Sequence, residues 1–153
     1  MNATASSETK LVWPGLSAFY ASCSEVAYAL MRIVIGYILL MHGWAKIGAG
    51  AGAVAANVMA KNGLEPAIVF AYAAMFLETI GAVCIILGLF TRVFAAALAI
   101  EMAIAFLFVH APKGFAAGQG GYEYVLLLGI VLLVIAIRGG GRYSIDRMIG
   151  KEV

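Results

Sequence analysis

Four apolar stretches dominate the chain, at 26–41, 66–90, 93–109 and 122–137. A helix rises about 1.5 Å per residue and must cross a hydrocarbon layer about 30 Å thick, so each stretch is read as a membrane span. The first is broken only by Arg32 and continues past His42, Gly43 and Trp44 to Ile47. Pro66 opens the second, in which Glu78 and Thr79 interrupt the apolar run. The turn Leu89-Phe90-Thr91-Arg92 is short enough to make the second and third spans an antiparallel hairpin, and the third carries one charge, Glu101. A loop from His110 to Gly121 precedes the fourth span, which Gly139-Gly140-Gly141 terminate. Residues 48–63 are rich in Gly and Ala and read as a loop with one short helix. Ahead of the first span, 11–23 mixes Leu11, Trp13, Phe19 and Tyr20 with Ser, Gly and Pro14, a pattern that suits a segment lying in the membrane interface.

The expected fold class is therefore an all-α integral membrane protein, a four-helix transmembrane bundle with a short interfacial N-terminal segment. Its divisions are a polar tail and interfacial segment (1–24), the four-span domain (25–138) and a basic cytoplasmic tail (139–153). Composition agrees: of 153 residues 64% are hydrophobic and 12% charged, and mean hydropathy is +1.00, which excludes an ordinary water-soluble domain. A net charge of +2 without any run of basic residues excludes nucleic acid as a partner. Cys23 and Cys84 form no Cys-x-x-Cys motif and read as small hydrophobes. Residues 1–10 lack the apolar core of a cleaved signal, so the first span is expected to stay in the mature protein.

Orientation follows from Lys and Arg, which accumulate on the cytoplasmic side. With four spans both termini share a side. That side holds six basic residues, Lys10, Arg92, Arg138, Arg142, Arg147 and Lys151, against Lys46, Lys61 and Lys113 on the other. Both termini are placed in the cytoplasm. The first and third spans each end outward in His then Lys (His42 and Lys46, His110 and Lys113), hinting at a parallel two-plus-two repeat.

A charge at the centre of a span costs about 2.5 to 3.5 kcal/mol on insertion scales, so Arg32, Glu78 and Glu101 must face protein. Helical spacing places Ala74, Gly81 and Ala82 beside Glu78, Ala97 and Ala105 beside Glu101, and Tyr28, Ala29 and Gly36 beside Arg32. Counted from the cytoplasmic ends, Arg32 lies roughly 10 Å deep, Glu101 roughly 14 Å and Glu78 roughly 18 Å. Arg32 is thus within reach of either carboxyl, and one carboxyl of the three-charge cluster is left uncompensated. The expectation is that Glu78 or Glu101 is a titratable buried acid; the alternative is that the three residues only lock the bundle together. A second group, His42, Lys46, His110 and Glu123, stands near the outer face among Trp44, Tyr122 and Tyr124. Aromatic residues and a Lys there are ordinary anchors, but two imidazoles and a carboxylate at one depth also suit the carbonyls of a quinone, with a metal ion or haem left open.

Several short motifs go further. They are Leu30-Met31-Arg32-Ile33, Gly43-Trp44-Ala45-Lys46, Glu78 with Gly81, Leu87-Gly88-Leu89, Thr91-Arg92-Val93, Gly121-Tyr122-Glu123 and Gly141-Arg142-Tyr143-Ser144-Ile145-Asp146. Through them the chain resembles the DoxX family of small four-helix bacterial membrane proteins over roughly 30–146, with Gly140 where that family often has Pro. The resemblance implies a protein of the bacterial cytoplasmic (inner) membrane linked to redox processes, similar to subunits of quinone-reducing sulfur oxidoreductases or to membrane partners of oxidative-stress enzymes. No dinucleotide or flavin fingerprint accompanies it, so a complete active site is not expected in the chain itself.

Three functions are carried forward. The leading one is a membrane subunit or partner of an oxidoreductase complex that handles quinone and protons, with Arg32, Glu78 and Glu101 as the reacting site and His42, Lys46 and Glu123 as the cofactor site. The others are a non-catalytic anchor or assembly factor for a partner enzyme, and a small proton-coupled transporter. Membrane lipid and a protein partner are expected in each case. Self-association is a further option, because Ala95, Ala99 and Ala103 form a small-residue stripe.

Overall fold

The computed structural model describes residues 10–152, and residues 1–9 of the predicted polar tail lie outside them. All regular structure in the described chain is helical. After a single 3-10 turn, Pro14–Leu16, helix α1 runs unbroken through Ser17–Ala49. The segment expected to lie separately in the interface is therefore, from Ser17 onward, the first two turns of this helix. Its serines do not break it because their hydroxyls bond back to the helix: Ser22 Oγ donates to the Ala18 carbonyl at 2.8 Å and Ser24 Oγ to that of Ala21 at 3.3 Å. Gly50, with φ at +86°, ends α1 in a backbone conformation that side-chain-bearing residues rarely adopt.

Residues predicted as a loop between the first two spans are mostly helical. Ala51–Val54 (α2) continues through a π turn, Ala55–Met59, and a 3-10 turn, Ala60–Asn62. Val54, Ala55 and Met59 pack on Ala71 and Ala74 in a small core of their own, so apolar burial overrides the loop-like composition. Helices α3 (Ala67–Leu87) and α4 (Thr91–Lys113) form the expected hairpin. α5 (Glu123–Arg138) returns alongside α4, and a short α6 (Ile145–Ile149) ends the fold. Ser144 caps α6, its hydroxyl accepting from the Arg147 N–H, as its position before the tail suggests.

Three helices, Pro14–Ala49, Ala67–Leu87 and Thr91–Lys113, have the length and apolar character to cross a membrane. The fourth predicted span is α5, 16 residues long and so roughly 24 Å. Leu39, Ala82, Ile85, Leu98, Leu132 and Ile135 form the main core. Large apolar side chains such as Leu30, Tyr72, Ile100, Leu107, Leu127 and Ile130 point outward, the reverse of a water-soluble protein and the pattern of a surface in contact with lipid.

Two glycines seven residues apart on α1 set its approach to α3. A Cβ at Gly36 would lie 2.7 Å from Ile86 Cγ1, and one at Gly43 would lie 2.5 Å from the Glu78 carbonyl oxygen. Only a hydrogen fits at either place. The helices accordingly touch backbone to backbone at the level of Glu78.

Candidate functional site: a carboxyl pair in an apolar cavity

Arg32 does not meet the acidic residues. It is 1% exposed, and its guanidinium donates from Nη1 to the carbonyls of Ile85 (2.5 Å) and Ile86 (3.0 Å) and from Nη2 to that of Tyr143 (2.6 Å). The last carbonyls of a helix have no partner within it and carry partial negative charge. Arg32 satisfies two of them at the end of α3, about two turns from Glu78. This corrects the sequence-based cluster: the nearest acceptors for Arg32 are backbone groups that composition does not reveal.

The same end of the bundle holds a second buried charge. Asp146, 4% exposed, accepts from the Phe90 N–H (2.8 Å), the Thr91 N–H (2.9 Å) and Thr91 Oγ1 (2.7 Å), capping the start of α4. Its own N–H donates to the Gly88 carbonyl at 2.9 Å. Tyr28 Oη donates to the Gly139 carbonyl at 2.6 Å while the Arg138 guanidinium stacks 3.9 Å above its ring. Arg32 and the Gly141-to-Asp146 motif are thus a structural clasp that fastens the tail to the α3–α4 turn.

Glu78 and Glu101 stand elsewhere, together, on the wall of a cavity of about 400 Å³. Glu78 is 5% exposed and its Oε2 pairs with Lys46 Nζ. The pairing depends on Gly43, one turn before Lys46, where α1 touches the Glu78 backbone. Glu101 sets its carboxyl against that of Glu78, and its Oε2 is buried without a hydrogen-bond partner among the described residues. Apart from these groups the wall is almost wholly apolar, with Leu39, Phe70, Leu77, Met102 and Leu128 prominent. Glu78 lies inside the π turn Leu77–Gly81, whereas Glu101 is on regular helix, one turn before a second π turn, Ala105–His110. Such turns recur at functional sites because they re-aim side chains that a regular helix would hold elsewhere.

The predicted outer group divides. His42, Lys46 and His110 reach this same cavity, joined by Tyr124, whose ring lies 6.4 Å from that of His42. His110 Nδ1–H donates to the Gly120 carbonyl at 2.7 Å, which leaves Nε2 as the accepting nitrogen. Glu123 stays outside the cavity wall; its Oε2 accepts from the Ala117 N–H at 3.1 Å and steadies the loop before α5. Among the described residues no three His, Cys, Asp or Glu side chains gather as a metal site would require. The role of Lys46 as partner of Glu78 escaped the sequence reading, although Gly43 and Lys46, one turn apart, are the trace it left: a close-contact glycine followed by a cation.

Fold and site together define a helical membrane protein with a carboxyl pair on the wall of a largely apolar pocket among its helices. The chain belongs to the DoxX family, whose model matches residues 27–111. It is similar to an "Uncharacterized protein" of Haemophilus influenzae, 33% identical over 135 residues, 81% of this chain and 91% of that one. It is also similar to the "Putative oxidoreductase CatD" of Bacillus subtilis, 28% identical over 127 residues, 83% of this chain and 90% of that one. No solved structure is a significant match.

Proposed function

We propose that the protein is the membrane-integral subunit or partner of an oxidoreductase complex, and that its cavity takes a quinone headgroup whose protons pass through Glu78 and Glu101. The observation that carries this reading is the unpartnered Glu101 oxygen on an apolar wall, beside a second carboxyl and one lysine. Three ionisable groups of this kind are neutral together when Lys46 is charged, one carboxyl is ionised and the other keeps a proton. A proton so held, on a residue that lines the cavity, is available to an acceptor that enters it.

The residues fit a quinone: a flat apolar body is matched by the wall, and its two carbonyls by donors at Lys46, His42 and Tyr124. A bound quinone would supply a carrier for two electrons and two protons. The chain's own part is to hold the ring, exclude water, and move a proton at the Glu101 carboxyl with Glu78 and Lys46 balancing the charge. The name of the Bacillus subtilis relative supports a redox setting. In this reading α5 is the fourth span, both termini face the cytoplasm and the membrane is the bacterial inner one, in keeping with the six basic residues on that side.

The test is purification of the tagged protein from its native membranes in mild detergent, with mass spectrometry of co-purifying proteins and quinones. Stoichiometric quinone that is lost in Glu101→Gln, together with an oxidoreductase partner, is the expected result. Bare protein carrying bulk lipid would overturn the reading and leave the anchor or the transporter; pH-driven flux by the protein alone in liposomes would single out the transporter.

A further inference from the structure

Outside the main cavity, a second concavity of about 490 Å³ runs along the seam of α4 and α5. Its floor is made of small residues, Ala96, Ala99 and Ala103 on α4 and Gly129 on α5, and its whole lining is apolar. From Ala96 to Phe106 it extends roughly 15 Å along the helix. The two concavities share wall residues: Ile100, Met102 and Val125 line both. The main cavity also has a rim on the lipid side, between α3 and α4, where Ala73 is exposed and Ile100 is 63% exposed. Ile100 is therefore the post around which the carboxyl-bearing cavity and the groove meet.

We infer that the cavity is loaded sideways from the bilayer through the Ala73–Ile100 rim, and that the groove floored by Ala99, Ala103 and Gly129 holds the hydrocarbon tail of the molecule whose headgroup lies at Glu101. The inference rests on the proposed headgroup site and narrows its ligand to a membrane-dissolved amphiphile with a long unbranched or isoprenoid tail. A headgroup that must leave lipid for a mid-membrane carboxyl pair needs an opening at that depth, and small side chains provide it at the least cost in packing. A tail laid in the adjoining groove stays in hydrocarbon throughout, so entry desolvates only the ring. The absence of any polar side chain in the groove suits a hydrocarbon chain and nothing with a charge.

Two photoreactive benzoquinones test this in nanodiscs, one with a diazirine on the ring and one with it midway along an eight-isoprene tail, cross-linked sites being mapped by mass spectrometry. The ring reagent is expected to label residues around Glu101, and the tail reagent to label the groove at Ala103, Ile130 and Leu133. Ala103→Phe should reduce groove labelling at least tenfold and weaken binding of the eight-isoprene quinone about tenfold while leaving a one-isoprene quinone unchanged. Labelling of the cavity by the ring, with tail labelling spread evenly over all lipid-facing helices, would overturn the groove assignment and keep the headgroup site. Failure of both reagents to label the cavity would overturn the headgroup site itself. Inter-protein cross-links joining Ala103→Cys across two copies in untreated membranes would overturn the groove assignment in favour of a self-association face.

Discussion

At the scale of single residues, the chain separates two uses of buried charge that look alike in sequence. Arg32 is spent on backbone carbonyls, and Lys46 on a carboxylate next to a second acid. Removing one partner of a buried pair costs about 3 to 5 kcal/mol, whereas replacing both by apolar groups is close to neutral. Lys46→Met should therefore lower the unfolding free energy in detergent by about 3 kcal/mol, the low end because the lysine is 22% exposed. The double change Lys46→Met with Glu78→Met should recover most of that loss; a double variant no more stable than the single one would refute the pairing. Glu101→Gln keeps shape and removes only the acid, so melting should be unchanged while quinone retention falls. That some buried acid lacks a countercharge was legible from the composition of the spans alone. Which cation serves it was not, because Lys46 reaches Glu78 only through a backbone contact that one glycine permits.

At the scale of elements, spans two and three were legible to within about a turn at each end, since Pro66 and the turn at Leu89 to Arg92 punctuate them. The length of α1 was not. Its first turns carry Ser, whose usual reading as a breaker fails when the hydroxyl bonds back into the helix. The π turns were equally hidden, for they arise from packing and leave no periodic signature. The contact of α1 with α3 yields a sharp expectation. Gly43→Val would drive two methyl groups into the Glu78 carbonyl, part the helices and separate Lys46 from Glu78. The loss should be about 1 to 3 kcal/mol in stability together with quinone binding, read by thermal melting and by ligand retention. Gly48→Ala, on the same helix with open space around it, should change neither. Asp146→Ala would strip the acceptor from two N–H groups and one hydroxyl at the start of α4. A loss of about 3 kcal/mol is expected on unfolding, without any change in the cavity's preference among quinones.

At the scale of the whole molecule, hydropathy and the placement of basic residues were enough to read a membrane bundle, and the structure supplies its division of labour. One end is fastened by the clasp of Arg32, Tyr28, Gly139 and Asp146; the middle is hollow. Both termini on the cytoplasmic side can be checked in intact cells with a membrane-impermeant thiol reagent on a variant lacking Cys23 and Cys84. Lys113→Cys should react from outside, and Lys151→Cys only after the cells are opened. Reaction of both from outside would reverse the orientation.

The clasp also has a consequence for how the molecule is made. Asp146 follows Thr91 by 55 residues, and ribosomes add about 5 to 20 residues per second. The α3–α4 hairpin therefore waits about 3 to 11 s in the membrane with the start of one helix uncapped and the Arg32 at the end of the other lacking the Tyr143 carbonyl of its clasp. During that interval the nascent protein differs from the finished one at a defined place. A chain truncated before the clasp would keep that difference permanently, with the N–H groups of Phe90 and Thr91 left without their acceptor.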